Sequence, residues 1–190
     1  YPPLRIRGRE LEGGQLVIPG NVSSQYVSAL LMIAPILTKG LDLKLTGEIV
    51  SRPYIDLTLH IMHEFGVAAE WTNFDTISVK PQQYTRRTYT IENDWTAASY
   101  WYEILALQDD LDAEVVISGL KDGSRQGDAA VRYIFSLLGI KTNFARKDAE
   151  GLTDATLTRH TRMLNRMDYD FINHPDLAQT LIAACPVLGI

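Results

Sequence analysis

The 190-residue sequence has a single cysteine, Cys185, set inside an apolar run. A lone thiol excludes a disulfide framework and a thiolate metal cluster, and it fits core filling in a reducing compartment. No stretch reaches the roughly 18 uninterrupted apolar residues that span a membrane. The opening residues, YPPLRIRGRE, lack the apolar core of a signal peptide, so a cytoplasmic protein without membrane contact is expected. The 18 lysines and arginines are scattered and outnumbered by 23 acidic residues, for a net charge of −5. Nucleic acid, which demands a cationic track, is therefore not an expected partner. Neither a Gly-x-x-x-x-Gly-Lys loop nor Gly-x-Gly-x-x-Gly opens a helix, so nucleotide binding by those devices has no support. His60 and His63 lie at helical spacing without a third ligand, and no metal or other cofactor is expected.

What is present suits a folded core: 46% hydrophobic and 22% charged residues. Hydrophobic period predicts a strand over Gln15–Ile18, a helix through SSQYVSALLMIAPILT, and a strand with Leu41, Leu43 and Leu45 alternating. A helix follows from Pro53, with Ile55, Leu59 and Met62 on one face and Gly66 as its stop, then strands near Val67–Trp71 and Ile77–Lys80. The same order recurs as strand TYTIE, a helix over Thr96–Leu107, strand AEVVIS, a helix over Asp128–Leu138, and strands IKTNFA and ATLTRH.

Landmarks keep a near-constant offset. Gly66 and Gly139 are 73 positions apart, Gly47 and Gly119 are 72, and Asn21 and Asp94 are 73. Such agreement argues for a duplicated βαβαββ unit in an α/β fold. A third copy opens with YDFIN and a helix after Asp176, then stops. That cut, with the uncapped apolar run LAQTLIAACPVLGI at the end, makes the chain an expected internal fragment. The polar, proline-bearing KPQQYTRR marks the expected boundary between residues 1–84 and 85–190. QDDLDAE and RKDAEG are expected to be solvated loops.

Three stretches carry potential chemistry. Gly20-Asn21-Val22-Ser23-Ser24-Gln25 leaves a strand and opens a helix, where unpaired N–H groups and partial positive charge favour an anion. One serine would suffice as a cap; two with a glutamine exceed that need. Ser51-Arg52-Pro53-Tyr54 opens the next helix with a hydroxyl, a cation and a phenol. Asn173-His174-Pro175-Asp176 offers Asp176 either as a helix cap or as an acceptor of hydroxyl protons. Gly123-Ser124-Arg125-Gln126-Gly127-Asp128 looks like a phosphate loop in composition only and is expected to be a turn with a helix cap.

NVSSQYVSALLMIAPIL followed by GEIVSRPYIDLTLHIMHEFGV resembles the paired segments of the 5-enolpyruvylshikimate-3-phosphate synthases, most densely over residues 15–67. The resemblance implies a two-domain protein built from repeated βαβαββ units as an inside-out α/β barrel, with residues 1–84 closing the first domain and 85–190 opening the second. It implies transfer of the enolpyruvyl group of phosphoenolpyruvate to the 5-hydroxyl of shikimate 3-phosphate, by a monomeric parent. By motif, Ser23, Ser24 and Ser51 would hold the substrate phosphate. Gln25 and Tyr54 would contact the shikimate ring, and Arg52 would stand where the family has a basic residue. Asp176, in HPDLAQT, would be the catalytic aspartate at the ring hydroxyls. The lysines and arginines that neutralise phosphoenolpyruvate in such enzymes are not found here, so the fragment alone is expected to be inactive. Asn93-Asp94-Trp95-Thr96-Ala97-Ala98 departs from the family's Gly-Asp-x-Ser-Ser-Ala, leaving Asp94 as a cap. The alternatives are the related UDP-N-acetylglucosamine enolpyruvyl transferase and a non-catalytic anion-binding module of the same fold.

Overall fold

The computed structural model describes residues 3–146 and 149–190. The chain divides into two compact units, Tyr1–Val50 with Thr58–Arg87, and Ser51–Leu57 with Thr88–Ile190. The stretch Ser51–Leu57, expected with the first part, thus groups with the second.

In the first unit, strands β1 (Gly14–Pro19), β2 (Leu41–Thr46), β3 (Ala69–Asn73) and β4 (Thr76–Val79) form a sheet in the order β1-β2-β4-β3. β1 runs parallel to β2 with Leu16 beside Leu43, and the other pairings are antiparallel. Alternation puts Leu41, Leu43 and Leu45 on the buried face of β2, where they pack as hydrophobic period predicts. Leu43 and Ile77 are wholly buried, each contributing about 2 kcal/mol through removal from water. Helix α1 spans Ser24–Ile33 and tightens into a 3₁₀ turn over Ala34–Ile36, short of the expected end near Thr38. Pro35 explains this, since it has no N–H to continue the α-helical ladder. Helix α2 (Arg52–Glu64) buries Ile55, Leu59 and Met62, the face read from the sequence.

The second unit contains α3 (Trp95–Ala106), β5 (Glu114–Lys121), α4 (Val131–Leu137), β6 (Ile140–Arg146), β7 (Leu152–Arg159) and α5 (Ala178–Leu188). Short 3₁₀ turns, Gly127–Ala130 and Pro175–Leu177, lead into α4 and α5. The sheet order β5-β7-β6, antiparallel throughout, repeats the arrangement β2-β4-β3. The repeat extends to backbone conformation. Gly47 and Gly119 have φ of 74° and 78°, and Gly66 and Gly139 have 81° and 98°, a left-handed region that favours glycine. Trp95, Tyr102, Phe135 and Leu157 centre the core, with Cys185 partly buried against it.

Two expected strands do not form. TYTIE, beside β5, is irregular because side chains take the edge of that strand. The Lys121 amide donates to the Glu92 carboxylate (3.1 Å), and the Asn93 carboxamide donates to the Ser118 carbonyl (2.8 Å). YDFIN is bent by Asp170, whose carboxylate accepts from the Ile172 amide two residues on (2.9 Å). Of the RKDAEG stretch, Lys147 and Asp148 lie outside the described residues.

Candidate functional site

At the start of α1, Gly20 lets the chain pass close to the following loop: a Cβ there would stand 2.8 Å from the Glu48 carbonyl. The Gly20 carbonyl accepts from the Val50 amide (3.2 Å), which fixes the turn. Ser23 is the N-cap, its hydroxyl accepting from the Gln25 amide at 3.3 Å. Ser24 opens the helix and is buried, whereas Ser23 and Gln25 are exposed. No acidic residue occupies the first turn, so nothing on the helix opposes an anion there.

Ser51, ahead of α2, has φ of +54°, a left-handed conformation that non-glycine residues adopt at a cost of about 1–2 kcal/mol. Its amide donates to the Ile172 carbonyl (2.8 Å), and its carbonyl accepts from the Tyr54 amide (3.1 Å). These bonds hold the strained residue in place. Arg52 opens α2, again without an acid in the first turn.

Tyr54 and Asp176 meet. The Tyr54 Oη lies 3.1 Å from Asp176 Oδ2 and 3.0 Å from Asp128 Oδ2. Asp176 is not the helix cap its position suggested: the 3₁₀ turn that contains it and α5 both start without a side-chain cap, and its carboxylate faces the phenol. Asp128, 2% exposed, also accepts from the Thr96 hydroxyl. Burial, reinforced by the charges of Asp128 and Asp176, drives the Tyr54 phenol far above its ordinary range, so it remains protonated.

The sequence model of one family, EPSP synthase (3-phosphoshikimate 1-carboxyvinyltransferase), matches residues 1–187. The chain belongs to the EPSP synthase family. Among curated relatives bearing the name 3-phosphoshikimate 1-carboxyvinyltransferase, one from Bacteroides fragilis is 48% identical over 190 residues, the whole chain and 44% of the relative. One from Marinomonas sp. is 36% identical over 183 residues, covering 95% of this chain and 40% of the relative. The chain thus spans less than half the length of these EPSP synthase relatives. An EPSP synthase structure from Acinetobacter baumannii superposes with a TM-score of 0.65 at 17% identity, over 94% of this chain and 39% of that one, which establishes a shared fold.

Within this chain, Ser51, Arg52, Tyr54 and Asp176 share the second unit, while Ser23, Ser24 and Gln25 sit together in the first. Sequence reasoning missed Asp128 and Thr96. A signal existed: Tyr54 and Asp128 are 74 positions apart, within two of the repeat offset, so both occupy the start of the second helix in their copies. Asp94, by contrast, is the cap it was expected to be, accepting from the Thr96 amide at 2.9 Å. His63, weighed as a metal ligand, has its ring nitrogen 2.9 Å from the Ala69 carbonyl. Among the described residues no helix is long and apolar enough to cross a membrane.

Proposed function

We propose that these residues serve the transfer of the carboxyvinyl group from phosphoenolpyruvate to the 5-hydroxyl of shikimate 3-phosphate, with release of phosphate. The reading is carried by the Ser23–Ser24 helix start, where cap, second hydroxyl and exposed Gln25 stand on a helix end without an acidic neighbour. By motif, Ser23 and Ser24 take phosphate and Gln25 contacts the ring from the first unit; Ser51 takes phosphate, Tyr54 contacts the ring and Arg52 adds charge from the second. Asp176, exposed yet hydrogen-bonded by Tyr54, accepts the proton of the attacking 5-hydroxyl. That oxygen bonds to C2 of phosphoenolpyruvate while C3 gains a proton; loss of phosphate from C2 and of a proton from C3 then restores the double bond. Family membership over residues 1–187 supports the reading. The residues belong to a protein acting in aromatic amino-acid biosynthesis.

The test is a chimaera in which these 190 residues replace the matching part of the Bacteroides fragilis relative. Calorimetry should show binding of shikimate 3-phosphate, a loss of affinity of about 10- to 100-fold in Ser23→Ala/Ser24→Ala, and a similar loss for shikimate without its phosphate. Preference for a UDP-linked amino sugar would overturn the substrate assignment. Substrate binding without turnover would favour a non-catalytic module.

A further inference from the structure

One phenol faces two carboxylates, at 3.0 Å and 3.1 Å, but has a single proton to donate. If both acids were ionised, one of these contacts would set lone pair against lone pair. A second proton in the cluster resolves the conflict, and the geometry says where it resides. Asp176 is exposed to water, whereas Asp128 is 2% exposed and its Oδ1 is buried without a hydrogen-bond partner. An ionised carboxylate would leave part of its charge on that unpartnered oxygen; in the neutral acid it is an ordinary carbonyl oxygen, cheaper to bury. A proton on Oδ2 also completes the pattern, since Oδ2 then donates to Tyr54 while accepting from Thr96.

The geometry points to Asp128 as a neutral acid and a positioning residue: it donates to the Tyr54 phenol, which turns its own proton toward an ionised Asp176. This deepens the proposed function and rests on it, because an oriented, ionised Asp176 is what a base at the substrate hydroxyl requires. It also keeps the cluster at one negative charge beside a substrate that carries both a phosphate and a carboxylate. The groups facing Asp128 agree. Burial raises its pKa first and the charge of Asp176 adds to that; the hydrogen bonds of Thr96 and Tyr54 and the nearby His174 work the other way. Tyr169, also close, is itself raised by burial and stays neutral.

The test needs no substrate. Aspartate carboxyl carbons are labelled with ¹³C in the chain and titrated by NMR, with Asp128→Asn and Asp176→Asn assigning the two signals. The Asp128 signal should titrate above the ordinary aspartate value of about 3.9, and Tyr54→Phe should move its midpoint. Titration of every aspartate in the ordinary range would overturn the inference. Should Asp128→Asn fail to fold, Tyr54→Phe still tests the coupling, because it leaves both acids in place. In the chimaera, Asp128→Asn, which mimics the neutral acid, should retain kcat within about threefold. Asp128→Ala should lower kcat tenfold or more and shift its pH profile. Equal losses in the two would mean that the charge itself matters, against the inference. Failure to bind shikimate 3-phosphate would instead sink the functional reading and leave the titration standing.

Discussion

Ser51 separates stability from function in a single substitution. Its φ of +54° suits glycine, so Ser51→Gly should leave the melting temperature unchanged or raise it, by up to about 1 kcal/mol of stability. If its hydroxyl holds the phosphate, the same change should weaken shikimate 3-phosphate binding about tenfold; unchanged affinity would remove Ser51 from the site. Asp128 makes a second prediction at this scale. Its folded pKa is raised, so the folded state holds the proton more firmly than the unfolded chain does. That contribution is complete below the ordinary aspartate range and is lost as pH rises through the raised folded value. Urea midpoints measured against pH should therefore fall across this window in the native chain and flatten in Asp128→Asn.

At the scale of elements, helix α3 buries Tyr102 against the core with its hydroxyl 2.8 Å from Thr142 Oγ1. Burial pushes this phenol from 10 up to about 12, so neutral Tyr102 stabilises the fold until alkali removes its proton. Between pH 10 and 12 the native chain should lose about 3 kcal/mol that Tyr102→Phe does not, measured as the difference in their denaturant midpoints. Period and turn residues made β1 to β7 and all five helices legible in the sequence. TYTIE and YDFIN misled for a definable reason: β propensity says that a segment fits a strand, not whether an edge is free to receive it. Glu92 illustrates the point, because its carboxylate also accepts from the Ser124 hydroxyl (2.6 Å) and the Trp95 indole (3.3 Å). Glu92→Ala strands these donors together with the Lys121 amide and should cost about 2–3 kcal/mol, readable in a urea titration.

For the molecule as a whole, the repeat was legible because glycines that must adopt positive φ cannot drift in position. The candidate site was only half legible. Ser23, Ser24, Ser51 and Tyr54 stand in motifs, but the partnership of Tyr54 with Asp128 depends on a fold that joins residues 74 positions apart. The 190 residues cover 44% of the Bacteroides fragilis relative, and Arg52 is the cation that the helix-start motifs put forward. Phosphoenolpyruvate and shikimate 3-phosphate together carry more negative charge than one guanidinium offsets, so the chain alone should give no product where the chimaera does. Sustained turnover by the isolated chain would contradict this.

The guarded flank of β5 matters when copies of the chain meet. A bare strand edge is a template on which a strand of another molecule can grow, the first step toward fibrils. Here, toward the end of β5, the Glu92 carboxylate and the Asn93 carboxamide already take the Lys121 amide and the Ser118 carbonyl that such a visitor would use. Removing both side chains should make the chain more prone to seed cross-β aggregates, with thioflavin fluorescence rising before any loss of helical signal.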